Sequence, residues 1–351
     1  MDQPGGSVRV AAEARMTWRP GLVDLAAERL GGLAIAANDE FFAPKANLLK
    51  AGRGVFVEGK YTERGKWMDG WETRRRREPG NDWGIIRLGV PGLIRAVTVD
   101  TNHFRGNHPE SCSLDVADLA GSPTARRLAA ARTWVEALPR SPLNGHSENE
   151  FEIGSAHRAT HVRLNIFPDG GVARLRVWGE AQPDWARLAR SKTAVDLAAA
   201  QHGGAPLACS DEFFSAPVNL LMPGRGRDMG DGWETRRRRD SGHDWVVLRL
   251  GHRGVIETIL VDTQHFKGNF PESCSLDGCD AADLRTDAAP PAGMAWQKLL
   301  PRTRLQAHRQ HRLRPTGRVP VTHVRLNIFP DGGVSRLRLF GKPVGGGREW
   351  R

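Results

Sequence analysis

Apolar and polar residues alternate with a period of two through much of this chain. In HVRLNIFPDGGVARLRVWG (161–179), Val162, Leu164 and Ile166 alternate with Arg163 and Asn165, and Leu175 and Val177 alternate with Arg174 and Arg176. Pro168-Asp169-Gly170-Gly171 supplies turn chemistry between the two runs, so the segment predicts a hairpin with one buried face. WGIIRLG (83–89) and LIRAVTVDT (93–101) read as further strands, as do their later counterparts VVLRLG (246–251) and VIETILVDT (255–263). Only DLAAERLGG (24–32) and TAVDLAAAQHGG (193–204) predict helices, each ending at a Gly pair suited to a C-cap. Short strands with turns at intervals of about ten residues predict an all-β protein built as a β-sandwich or jelly roll.

The pattern occurs twice. Residues 69–115 align with 231–277 without a gap, with 31 identities in 47 positions, and 160–179 align with 322–341 at 17 of 20, both at an offset of 162. The loops between these blocks keep equal length and retain Trp134 with Trp296 and His146 with His308. Upstream, DEFFA (39–43) answers DEFFS (211–215) at an offset of 172, so ten extra residues, including GKYTERGK, lie between Asn47 and Trp71 in the first copy. A period this long marks an internal duplication of whole domains, here 20–180 and 204–342, and not a solenoid.

Composition narrows the function classes. Hydrophobic residues make up 39% and charged residues 26% of 351 residues, as in globular proteins. No run of about 18 apolar residues predicts a membrane span, and Arg9, Glu13 and Arg15 interrupt the place where an export signal needs an apolar core. Cys112, Cys209, Cys274 and Cys279 have no CxxC spacing and read as reduced thiols of a cytoplasmic protein. The net charge of +11 mixes 51 basic with 40 acidic residues, although 301–318 contains no acid. That stretch also lacks the aromatic residues a single-strand binder would interleave, so no nucleic-acid partner is expected.

Two constellations could carry chemistry. If WETRRRR (71–77) is a strand, Glu72, Arg74 and Arg76 share one face, while Thr73, Arg75 and Arg77 share the other, available for structural ion pairs. Glu234, Arg236 and Arg238 repeat the first face, and a guanidinium fork suits a small carboxylate. The second constellation is VDTNHFRGNHPESCSLD (99–115), answered by VDTQHFKGNFPESCSLD (261–277). It places Asp100 and His103, and Asp262 and His265, at the end of a strand leading into a Gly-Asn-x-Pro loop carrying Asn107 or Asn269. A His near a carboxylate can exchange protons around neutral pH. His161 and His323, on the polar side of their strands, are further candidates, although a solvated strand face is the expected place for them. The spacing of Asp100 and His103 is not that of a metal motif, and neither GxSxG nor a Walker loop occurs.

Taken together, DEFFAPKANLL, GKWMDGWETRRRR, DWGIIRLG, VDTNHFRGN and THVRLNIFPDGGVARLRVWG, with their duplicated second half, resemble the allantoicases, ureide-degrading hydrolases of purine catabolism. The resemblance covers about residues 20 to 342. The chain departs from the family pattern mainly in its basic 302–318 loop and its tails. The resemblance implies two jelly-roll domains of the galactose-binding-like type, hydrolysis of allantoate to ureidoglycolate and urea, a homo-oligomer, and in some relatives a divalent metal such as manganese. For that reaction Glu72, Asp100, His103, Glu234, Asp262 and His265 are the expected catalytic residues, with Glu72 or Glu234 and His103 or His265 as acid and base. Arg74, Arg76, Asn107, Arg236, Arg238 and Asn269 are then the expected substrate-binding residues. One active repeat or two are equally compatible with the duplication. A non-enzymatic tandem carbohydrate-binding module is the alternative, because a sandwich fold does not fix function, but a single Tyr offers little for sugar platforms.

Overall fold

One long bent strand organises each repeat. In the first it is Asp82–Asp100. Its first part, Asp82–Arg87, pairs with Leu33–Ala37 on one side and with residues 161–166 of the strand Arg158–Phe167 on the other; the sheet continues through Ser111–Ala117 to Val135–Pro142. Its second part, Gly92–Asp100, pairs with Arg174–Ala181, beyond which lies Val23–Asp24, and on its other side with Glu148–Glu152. Sharing one strand between two layers makes a jelly-roll sandwich. The bend needs glycine at Gly92, where a Cβ would stand 2.3 Å from the Glu180 carbonyl oxygen. Asp244–Asp262 repeats the arrangement, with Ala205–Cys209, Pro320–Phe329, Ser273–Cys279 and Gln297–Arg304 in one layer. Arg336–Pro343, Gln310–Leu313 and Val195–Asp196 form the other. This computed structural model describes residues 18–119, 121, 123–154, 157–281, 284, 287–291 and 293–345. The stretch bearing Arg9, Glu13 and Arg15 lies outside them.

The alternating apolar positions meet between the layers. Ile86, Ile94, Val97, Val99, Leu114, Val162, Leu164, Ile166, Leu175 and Val177 are buried, as are their equivalents Leu248, Ile256, Ile259, Val261, Leu276, Val324, Leu326, Ile328, Leu337 and Leu339. Each such side chain contributes roughly 1.5–3 kcal/mol on burial. The four cysteines are free thiols. Among the described residues no helix is long and apolar enough to cross a membrane.

Several sequence expectations are corrected. The 161–179 segment is not a hairpin. Residues 161–166 pair with 82–87, before Gly92, and residues 174–179 with 94–100, after it; the two strands flank the long one together only at Gly92–Leu93 and never pair with each other. Alternation reports which side of a strand is buried, not which strand lies beside it. The six residues 168–173 can span about 20 Å when extended, enough to cross a sandwich about 10 Å thick. DLAAERLGG forms only the three-residue 3-10 turn Glu28–Leu30, although Gly31 does end it with φ 94°. Asp24 Oδ1 accepts the Ala26 and Val177 amides, and Leu25 N donates to the Val177 carbonyl, so sheet bonds occupy the groups a helix would use. TAVDLAAAQHGG behaves alike, with the turn Ala200–His202 ending at Gly203. His161 and His323 are buried, not solvated, and burial pushes His323 down to about 4, keeping it neutral.

The halves are stitched together. Gly21 N donates to the Pro206 carbonyl at 2.9 Å, and Arg249 Nη2 donates to the Gly21 carbonyl at 3.0 Å. Arg29 pairs with Asp231 and donates to Asn219 Oδ1. A cavity of about 780 Å³ remains between the halves, lined by Arg53, Asp100, Glu148, Glu150, Arg176 and Arg227 among others.

Candidate active site

The Trp-Glu pair forms a two-residue strand in each repeat. Trp71–Glu72 pairs with Gly171–Val172, and Trp233–Glu234 with Gly333–Val334. Three features of the sequence hold these strands. Trp71 and Trp233 are fully buried and donate Nε1 to the carbonyls of Asp39 and Asp211 at 2.8 and 2.9 Å. Asp69, two residues before Trp71, receives Arg174 Nη2 at 2.6 Å, and Asp231 receives Arg336 Nη2 at 3.0 Å, all four side chains being buried. Finally, Phe104 and Phe266 lie against the glycine opposite each Glu. A Cβ on Gly171 or Gly333 would stand 2.0 or 1.9 Å from the ring.

The strand stops at the glutamate. Thr73 and Thr235 turn inward, exchanging bonds with Gly170 and Gly332, and the period-two reading of the four arginines ends there. Arg74 Nε donates to Asp39 at 2.7 Å and Arg76 Nη1 to Asp82 at 2.8 Å. Arg236 and Arg238 likewise donate to Asp211 and Asp244, both at 2.6 Å. The expectation of a continuous strand is therefore corrected: its supposed carboxylate-facing arginines are each held by an aspartate. Arg75 and Arg237, expected on the ion-pairing face, are exposed and have no carboxylate partner among the described residues.

Each Glu side chain meets an Asn from the Gly-Asn-x-Pro loop. Asn107 Nδ2 donates to Glu72 Oε1 at 2.7 Å, and Asn269 Nδ2 donates to Glu234 Oε1. The same asparagines accept, through their backbone carbonyls, the amides of Gly171 and Gly333 at 2.8 Å, so one loop fixes both the strand and its carboxyl. Burial raises both carboxyls above the ordinary range, and the Asn hydrogen bond offsets only part of this.

Glu234 opens on a cavity of about 1220 Å³ whose lining includes Arg237, Asn269, Arg304, Gln306 and Arg309. Arg309 donates to the Gln306 side chain and has no carboxylate partner among the described residues. Arg304 Nε lies 3.8 Å from Glu272. Asp262 and His265 do not line this cavity. Asp262 is buried and accepts from Gln310 Nε2 at 2.9 Å, one residue removed from it. The His265 ring faces the Gly226 carbonyl at 2.9 Å. Asp100 faces the cavity between the halves, where Arg53 lies 3.7 Å away. His103 N donates to His146 Nδ1 at 2.9 Å, and its ring lies against Phe56. Both His103 and His265 have left-handed backbone, φ 68° and 73°, which a His adopts in tight loops. The structure thus joins each Glu to its Asn and leaves the Asp and His residues outside the Glu234 cavity.

Sequence reasoning missed Arg237, Arg304 and Arg309 as candidates for the site. The acid-free stretch 301–318 was a signal for two of them. For Arg237 nothing local distinguishes it once the strand is taken to continue. Among the described residues no group of three or more His, Cys, Asp or Glu side chains converges. The other acids and the imidazole on this cavity are engaged elsewhere, Glu272 with Arg302 and Arg304, Asp331 with the Arg238 amide and His311 Nε2 with the Gln306 amide, so they offer manganese no shared set of ligands and no step below is routed through a metal.

Fold and site define a tandem jelly-roll protein in which a half-buried carboxyl opens on a cavity lined by arginines. Comparison with known proteins gives the family. The model for the allantoicase repeat matches residues 23–182 and 195–344. A probable allantoicase of Pseudomonas paraeruginosa is 51% identical over 326 residues, covering 92% of this chain and 96% of that protein. A probable allantoicase of Burkholderia mallei is 47% identical over 324 residues, covering 91% and 94%. The crystal structure of allantoicase from Saccharomyces cerevisiae superposes with a TM-score of 0.78 at 34% identity, covering 92% of this chain and 93% of that one. The chain belongs to the allantoicase family.

Proposed function

We propose that this chain hydrolyses allantoate to ureidoglycolate and urea, with the reaction at Glu234. The observation that carries this reading is a half-buried glutamate, raised by its burial and fixed by an asparagine, at the edge of a cavity that arginines line, in a chain of the allantoicase family. Allantoate bears one carboxylate and two neutral ureido groups on a single carbon. A guanidinium fork suits the first and an amide side chain such as Asn269 or Gln306 suits the second. A non-enzymatic tandem carbohydrate-binding module is not favoured, because relatives matched along nearly their whole length are named as enzymes.

Glu234, as carboxylate, takes the proton of the remaining ureido N–H while the bond from the central carbon to the departing nitrogen breaks. The protonated Glu234 passes that proton to the departing nitrogen, which leaves as urea, and the carbon and remaining nitrogen form an imine-like bond. Water then adds hydroxyl to carbon and a proton to nitrogen, giving ureidoglycolate. General acid–base assistance of this kind contributes about 10²–10⁴ in rate. Incubating the purified chain with allantoate and measuring urea, with and without manganese or a chelator, tests the proposal. Absence of urea under all these conditions rejects it.

A further inference from the structure

The repeats diverge where their shared glutamates look outward. The register Val261 to His311 in repeat 2 matches Val99 to Asn149 in repeat 1, so the offset of 162 holds through this loop. Arg237 has Arg75 as its equivalent, but Arg304, Arg309 and Arg312 are answered by Pro142, Ser147 and Glu150. Ser147 Oγ donates to the Gly145 carbonyl at 3.0 Å and its amide donates to Thr101 Oγ1, so this position is neutral and turned into its own loop. Its acidic neighbours point to the domain boundary. Glu148 lies 3.5 Å from Arg53, and Glu150 lies 3.2 Å from Arg19. Arg309 is the reverse case. Its amide is anchored by Thr263 Oγ1 at 3.0 Å and its guanidinium is oriented by the neutral Gln306 amide group, which leaves the charge available on the Glu234 cavity.

We propose that Arg309, with Arg237 of the same cavity wall, holds the substrate carboxylate in repeat 2. A chain then carries one site competent for this anion, because repeat 1 has no cation at the matching position. The inference rests on the reading of the Glu234 cavity as the place of allantoate hydrolysis. Two arginines around one carboxylate give a forked grip made equally in the bound and reacting states, so their loss is expected to raise KM more than it lowers kcat.

Steady-state urea release from allantoate tests this with three variants of the full chain. Arg309→Ser is expected to raise KM about tenfold to a hundredfold while kcat changes much less. Arg309→Lys restores part of the loss, since it returns the charge without the fork. Ser147→Asp, which places an anion at the equivalent point of repeat 1, leaves KM and kcat within about twofold. An unchanged KM in Arg309→Ser, or a rise in Ser147→Asp matching that of Arg309→Ser, overturns the proposal while leaving allantoate hydrolysis intact. Failure of the unaltered chain to release urea overturns the hydrolysis reading itself, and this inference with it.

Discussion

Around Glu72 and around Glu234 the chain folds to one pattern. Each Glu follows a buried Trp, pairs with a glycine under a Phe ring, accepts from an Asn, and stands near a buried Asp–Arg pair. The surroundings differ. Repeat 1 carries the ten-residue insertion, whose Gly65 lies against Phe42, the residue whose amide donates to the Glu72 carbonyl. It also turns the acids of its 147–150 loop toward the other half. Repeat 2 has no insertion, and Arg237, Arg304 and Arg309 line the cavity on which its carboxyl opens. The comparison teaches that duplication preserved the framework that holds a glutamate, while the charge available to a ligand was set by loops free to vary.

The largest expected effect breaks the symmetry directly. Glu234→Gln is expected to lower kcat for urea release by about 10²–10⁴, while Glu72→Gln lowers it by less than about tenfold. Equal losses would put both repeats to work. Next come the buried pairs beneath the strands. Removing one member of such a pair costs about 3–5 kcal/mol. Asp231→Ala is expected to lie at the upper end of this range, since it strands both Arg336 and Arg29. Asp69→Ala strands Arg174 and should cost less. Denaturant midpoints of the two variants check the order. Gly333→Ala, which drives a methyl into the Phe266 ring, is expected to destabilise by about 1–3 kcal/mol in the same measurement.

The smallest effects concern pH. Because burial raises Glu234, kcat/KM should begin to fall on the acid side at a pH above the ordinary carboxylate value of 4.5, and Glu234→Gln should remove that limb. Asp69 titrates the other way. Burial alone would raise it, but the Arg174 hydrogen bond and the Val55 amide bring it below 3.8. Its contribution to stability is therefore present above 3.8 and lost as pH falls through the lowered value. Asp69→Asn should flatten that part of an acid unfolding curve.

The duplication and the β character were legible in the sequence, because each depends on local alternation or on identity between copies, whereas the hydrogen bond that joins each Glu to its Asn was not. The partner of a strand is a long-range property. Val162 and Leu175 read alike whether their strands pair with each other or, as here, with two parts of Asp82–Asp100. The division of the arginines failed for a similar reason. Periodicity holds only while the strand continues, and Thr235 ends it by bonding inward to Gly332. The allocation of Arg236 to Asp211 and Arg238 to Asp244 depends on residues a loop away. Arg309 came close to view as part of an acid-free run, but only the packing of that run beside Glu234 gives its charge a place.

Asp231 is gripped from two sides, by Arg336 of its own repeat and by Arg29 of the other. The footing of the Glu234 strand is in this sense a joint possession. Producing residues 193–345 as a fragment would take Arg29 from that aspartate, leaving it Arg336 and the exposed Arg227, and would remove the opposite wall of the neighbouring crevice. Selection acting on the carboxyl in the second half therefore also constrains an arginine some two hundred positions earlier, which is one reason for the two halves to stay on a single polypeptide.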